Sequence, residues 1–361
     1  MSKPHLTTTA GFSIQHLQFM DHHGELTQAL PSTINHQTLI KLYEAMALTR
    51  LFDKKAINLQ RTGQLGTYPS CHGQEAIGAG VGHAMKAIDV FFPYYRDHAT
   101  FLLRGTPMSD ILSYWGGDER GSANMENRAS EDFPICVPIA DQCLHAAGAA
   151  FAFQYRNQAR AAVVTIGEGG TSEGDFYEAI NLAGAWKLPI VFVINNNQWA
   201  ISTPISEQTA CKTIAQKAIA AGIEGVQVDG NDVIAVHHVM QHALEKARSG
   251  KGPTLIEALT YRICDHTTAD DARRYIPQDE YHAAFEFEPL KRLRHYLEKN
   301  NLWSEEKEKN MLTQHAATLD TIVTKFLQRP KAEITDMFDY LYAELPKQFH
   351  FQRRELEAEH G

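Results

Sequence analysis

A carboxylate and a carboxamide, Glu168 and Asn197, lie 29 positions apart, each just past an apolar run. Glu168 stands in Gly167-Glu168-Gly169-Gly170 after AAVVTI, and Asn197 closes PIVFVINNN. The two runs, 161–166 and 189–194, have the unbroken apolar character of strands buried in a parallel sheet. Between them Phe176, Ala179, Ile180, Ala183 and Trp186 recur at helical spacing, with Ser172 and Asp175 where an N-terminal cap and a first-turn acid belong. A strand-helix-strand unit of this kind opens both strand ends and the helix N-terminus on one sheet edge. A carboxylate and an amide oxygen beside free backbone N–H groups can hold a hard divalent cation together with a phosphate, and the glycines let the backbone approach closely. The plainer alternative is a tight turn and a polar loop with no ligand.

Two further stretches carry candidate chemistry. FFPYYRDHATFLLR places Tyr94, Tyr95 and Arg96 between a strand or loop and a helix. A guanidinium there offers a fork of donors suited to diphosphate oxygens. YRICDHTTADD sets His266 in a polar loop after a strand end, where a histidine can move protons.

The rest of the chain must position these groups. Leu39, Leu42, Ala45, Met46, Leu48 and Phe52 predict a helix over 36–60, and a loop over 63–73 leads to another at 74–85. Residues 116–134 form a long polar loop. The helix over 143–155 shows small residues, Ala146 to Ala150, that permit close packing within the core or across subunits. An alanine-rich helix over 211–221, a strand at 225–228, a helix over 233–249 and a strand at 253–262 complete the alternation. The expected fold class is α/β, a parallel sheet covered by helices on both faces, with helical N- and C-terminal extensions. Residues 1–36 read as a loosely held arm, 37–285 as the α/β domain and 286–361 as a charged helical extension.

At 361 residues the chain has ample apolar content for a core, and its net charge of -9 with pI near 6 argues against nucleic acid as the main partner. There is no bilayer-length apolar run and no basic-then-apolar leader, so the expectation is no membrane and a soluble, cytoplasmic location. Cys71, Cys136, Cys143, Cys211 and Cys264 are scattered and lack C-x-x-C spacing, which points to buried reduced thiols.

GEGGTSEGDFYEAINLAGAWKLP and NNNQWAISTP resemble the magnesium and thiamine diphosphate motif of thiamine enzymes, with Glu168 where the generic motif has aspartate. More closely, together with GTYPSCHGQEA and YRICDHTTADD, they resemble the alpha subunit of the E1 component of 2-oxo acid dehydrogenase complexes, of the pyruvate or branched-chain type. The resemblance runs from about Leu42 to about Leu345. It implies Glu168, the Asn197 side chain and the Trp199 carbonyl as magnesium (Mg2+) ligands, with Gly167, Gly169 and Gly170 at the diphosphate of thiamine diphosphate. It also implies Tyr95 and Arg96 at that diphosphate with Tyr94 beside them, Ile139 against the bent cofactor, and His266 as the catalytic acid-base. Asp141 and Gln142 align with a monovalent-cation (K+) site of branched-chain relatives. The implied reaction is thiamine-dependent oxidative decarboxylation of a 2-oxo acid with acyl transfer to the lipoyl group of an E2 subunit.

A second cofactor-binding domain does not fit in this length, so the resemblance implies a separate E1 beta subunit, an α2β2 assembly and no activity from this chain alone. Two rivals stand beside this reading. A nicotinamide oxidoreductase would need glycine where Ser172 stands and an acidic residue at the second strand end. A non-catalytic structural or regulatory subunit finds its support in Glu168. The pattern from Gly169 to Gln208 leans toward pyruvate as substrate, and Glu168 with the His266 segment toward branched-chain acids.

Overall fold

The computed structural model describes residues 7–123 and 131–360. Six strands form one parallel sheet: β1 (Gln15–Leu17), β2 (Val90–Phe92), β3 (Ala162–Gly167), β4 (Ile190–Asn196), β7 (Glu224–Asp229) and β8 (Thr254–Leu259), in the order β1-β7-β8-β4-β3-β2. A small antiparallel pair, β5 (Trp199–Ala200) and β6 (Thr203–Pro204), follows β4. The main helices are α1 (His36–Arg61), α2 (Glu75–Ala84), α3 (His98–Leu103), α4 (Met108–Trp115), α5 (Asp141–Tyr155) and α6 (Gly174–Trp186), then α7 (Val233–Arg248), α8 (Gln278–Ala284), α9 (Pro289–Lys299) and α10 (Glu305–Leu327).

Both faces of the sheet are covered, and the strands show why their sequences are continuously apolar. In β3, Val163 faces a core with α1, α2 and α7, while Ala162, Val164 and Ile166 face a second core with α5 and α6. Leu39, Leu42 and Met46 of α1 are fully buried in the first core, each such side chain stabilising by about 1.5–3 kcal/mol. The α/β class with helical extensions is therefore the observed one.

Several local expectations change. Within the segment before His36, residues 15–20 are held in place: β1 pairs in parallel with β7, and the Phe19 and Met20 amides donate to Asp232 Oδ2 at 2.6 and 2.8 Å. Asp232 also caps α7 through Oδ1, so one buried carboxylate ties the arm to a helix start. Ser172 does not cap α6. It ends a 3-10 turn, Gly169–Ser172, and the cap position falls to Glu173, which makes no side-chain cap bond. Trp186 keeps helical spacing yet is 51% exposed, since the sheet-facing stripe ends at Ala183.

The helix expected over 211–221 is shorter. The Gln216 side chain accepts from the Thr213 amide at 2.9 Å where a turn starts at Ile214 and runs into Lys217–Ala220. Within the expected loop 116–134, Arg120–Ala123 is a helical turn fastened by Asp118 to Arg120 and Arg329, and residues 124–130 lie outside the described residues. Of the cysteines, Cys71 and Cys143 are buried, Cys136 and Cys264 half-buried and Cys211 exposed, all as free thiols. After residue 285 the chain shares the first core through Leu293, Tyr296 and Leu297, and Arg292 pairs with Asp229.

Candidate active site

The register of β3 against β4 pairs Gly167 with Asn195, so Glu168 and Asn197 leave the sheet side by side at its carboxyl edge. The Asn197 amide donates to Glu168 Oε2 at 3.3 Å. There the chain opens a cavity of about 640 Å³. Glu168, Gly167, Gly169, Gly170, Asn197 and Trp199 line it together with Tyr94, Tyr95, Arg96, Ile139 and His266. Every residue that the sequence singles out for thiamine diphosphate, magnesium or the acid-base role thus borders one space.

Glu168 is 2% exposed, and burial pushes its carboxyl above the usual range. Among the described residues its side chain accepts from the Asn197 amide and, at 3.4 Å, from Gln208 Nε2. Two long neutral hydrogen bonds are poor compensation for a buried carboxylate, whereas a cation would compensate it fully. Asn197 presents Oδ1 to the Trp199 amide at 3.2 Å and Nδ2 to Gln74 at 3.4 Å. The Trp199 carbonyl accepts Arg262 Nη1 at 3.2 Å, which occupies one of its two lone pairs. An all-oxygen set of carboxylate, carboxamide and carbonyl is the chemistry of a hard dication such as Mg2+.

Of the glycines, Gly167 leaves room for an adjacent anion. A Cβ on Gly167 would meet nothing nearer than Tyr94 Cε2 at 4.0 Å and would stand in the cavity. One on Gly169 would come within 2.6 Å of Ala200 Cβ, so the turn packs against β5 only without a side chain. Among the described residues Asn195 Oδ1 and Gln142 Oε1 are buried without a partner, and Gln142 borders the cavity. Asp141, expected beside it, is not among the lining residues. Ile139 is 48% exposed on the cavity wall.

Opposite lies a side-chain network. Arg96, buried, donates to the Ser70 carbonyl, and its Nη2 reaches the His266 carbonyl at 2.9 Å and Nδ1 at 3.3 Å. Arginine only donates, so Nδ1 is an acceptor and the ring proton sits on Nε2. Burial, then the charges of Arg96 and Arg262, push the His266 imidazole down to about 3. Asp270 accepts from the His266 amide at 2.8 Å and from the Tyr275 hydroxyl. Tyr275 accepts from Arg262 Nη2 at 2.6 Å, and the same Arg262 nitrogen donates to the Ile201 carbonyl at 2.7 Å. Arg262 therefore joins the turn carrying Trp199 to the loop carrying His266.

The chain matches the dehydrogenase E1 component family over residues 43–335. The chain belongs to that family. A 3-methyl-2-oxobutanoate dehydrogenase subunit alpha of Mycobacterium tuberculosis is 41% identical over 323 residues, 90% of this chain and 88% of the relative. A pyruvate dehydrogenase E1 component subunit alpha of Staphylococcus aureus is 38% identical over 336 residues, covering 92% and 90%. One from Staphylococcus epidermidis is equally similar. The E1 chain is accordingly an oxidoreductase subunit of the 2-oxo acid dehydrogenase type, and the family implies thiamine diphosphate.

Several groups in this E1 site carry no signal in the sequence. Gln208 and Gln74 touch the two oxygen donors, Arg262 reads as no more than a strand end, and Asp97 holds Thr165 and the Tyr94 amide beneath the cavity. Burial pushes Asp97 up to about 8. No local pattern marks any of them; the Asn197–Gln74 pair, for example, spans 123 positions. A separate buried group, Asp53, Cys71 and His98, could face a metal by distance alone. Asp53 already accepts from Tyr68, Ser70 and the Cys71 amide, and burial holds the Cys71 thiol protonated, so the group serves as a hydrogen-bonded core.

Proposed function

We propose that the chain is the alpha subunit of an E1 enzyme, with Glu168, Asn197 and the Trp199 carbonyl holding Mg2+ and Gly167, Gly169 and Gly170 receiving the diphosphate of thiamine diphosphate. The observation that carries this reading is the pairing of a buried, weakly hydrogen-bonded carboxylate with a carboxamide at neighbouring strand ends. When bound, the cofactor supplies the nucleophilic carbon and the electron sink for decarboxylating a 2-oxo acid. Tyr95 and Arg96 would hold the diphosphate, with Tyr94 beside them, and Ile139 would support the bent cofactor. Arg96 at the same time fixes the His266 ring, leaving a neutral imidazole whose Nε2–H is free to donate a hydrogen bond to a bound substrate or to the incoming lipoyl group.

The cavity has apolar, exposed residues at its mouth, Val137, Ile139 and Ile201, which a second chain would cover. That supports a beta subunit completing the site in an α2β2 assembly, and a lipoyl-bearing E2 as acyl acceptor. Pyruvate is the first substrate reading; the 41% identical relative favours 3-methyl-2-oxobutanoate as the second. Among the described residues no helix is long and apolar enough to cross a membrane.

The test is co-purification with the cognate beta chain and measurement of magnesium-dependent thiamine diphosphate binding, followed by decarboxylation of each acid. Saturable, magnesium-dependent binding is expected. Binding of a nicotinamide dinucleotide with none of thiamine diphosphate overturns the reading.

A further inference from the structure

Lys217 is 6% exposed, yet the lysines that form ion pairs among the described residues are Lys55, Lys246 and Lys299. A buried ammonium without a carboxylate is costly, so the groups that do receive it identify its task. Its Nζ lies 2.6 Å from the Thr171 carbonyl and 2.8 Å from Thr171 Oγ1, with the Tyr177 ring centroid at 5.0 Å. Thr171 in turn donates to the Glu168 carbonyl from Oγ1 at 2.6 Å and from its amide at 3.0 Å. The ammonium thus closes the 3-10 turn that delivers Glu168, Gly169 and Gly170.

The segment bearing Lys217 has a second anchor. Buried Glu257 on β8 accepts from the Ala215 amide at 3.0 Å through one oxygen and from Asn196 Nδ2 at 2.7 Å through the other. Residues 213–217 therefore brace both strand-end turns, one through Lys217 and Thr171, the other through Glu257 and Asn196.

We propose that Lys217 is a positioning residue for the cation and diphosphate site, holding the Glu168 turn at fixed distance from the Asn197 turn while placing a positive charge behind the anion-receiving glycines. The proposal rests on the functional reading above. Hydrogen bonds to charged groups are worth enough that Lys217→Met should weaken magnesium-dependent thiamine diphosphate binding about tenfold or more in the complex with the beta subunit. At saturating cofactor kcat should stay within about threefold, because no reacting atom is touched. Lys217→Arg, which keeps charge and donors, should restore the wild-type Kd to within about threefold.

A lower melting temperature with unchanged Kd in Lys217→Met would overturn the proposal. Should that variant not fold, Thr171→Val removes the relay hydroxyl, and an unchanged Kd there would overturn it as well. Amide hydrogen exchange of residues 168–174 in cofactor-free protein separates the two readings. Faster exchange in Lys217→Met supports the brace even if wild type binds no thiamine diphosphate, a result that would sink only the functional reading; unchanged exchange sinks the brace.

Discussion

At one end of the cavity Glu168 and Asn197 are delivered by main chain: two paired strands, Gly167 opposite Asn195, and turns that begin as soon as the strands stop. At the other end His266 stands in a loop whose ordering comes from side chains, with Arg96, Arg262, Asp270 and Tyr275 each making a bond to that loop or to one another. The first arrangement inherits the rigidity of a fully buried sheet, because β3 packs closely into a core on each face and cannot shift without disturbing both. The second can be loosened by deleting one hydroxyl or one charge. On the proposed reading the first end is a cation site, which needs fixed distances between hard ligands, and the second must meet a mobile substrate and does not need them. The two ends should therefore fail differently when damaged.

The largest expected effect lies at the rigid end. Asn197→Ala removes an oxygen donor and the Gln74 contact while leaving β4 in place, and thiamine diphosphate retention should fall about 10- to 100-fold. Calorimetric titration of the reconstituted complex measures it; retention equal to wild type would remove Asn197 from the ligand set. Tyr275→Phe probes the other end and should be milder. Losing its bonds to Asp270 and Arg262 should lower kcat by about 2- to 10-fold with cofactor Kd unchanged. A Kd that weakened as much as kcat would show the two ends to be one unit, with Arg262, which reaches both, as the reason.

The same contrast explains what the sequence discloses. β3, α6 and β4 are local patterns of apolar residues punctuated by glycine and asparagine, so the strand-end turns and their oxygen donors are legible from residue order alone. The three residues of β1, Gln15 to Leu17, are too few and too polar to signal a strand; pairing with β7 makes them one. Arg262 carries no signal because its meaning lies in Ile201, 61 positions earlier, and in Tyr275, 13 positions later. Lys217 is hidden in an alanine-rich stretch that looks like ordinary helix, and only its distance to Thr171 gives it a role. Residues whose task is set by periodicity are legible, and residues whose task is set by a distant partner are not.

The smallest expected effect concerns protons at the loop end. His266 is held near 3 in the folded chain by burial and by two guanidiniums, against about 6.5 when unfolded. Between those values the unfolded chain binds the additional proton, so stability contributed by the neutral ring is present above about pH 6.5 and is lost as pH falls toward 3. Removing the ring removes this source of acid sensitivity without touching the strand-end turns. His266→Gln should therefore lose less melting temperature than wild type on going from about pH 7 to about pH 5, both measured without cofactor. Equal losses would mean that His266 is not desolvated between Arg96 and Arg262. The loop would then be open in the resting protein, and its order would have to come from the substrate or the partner chain.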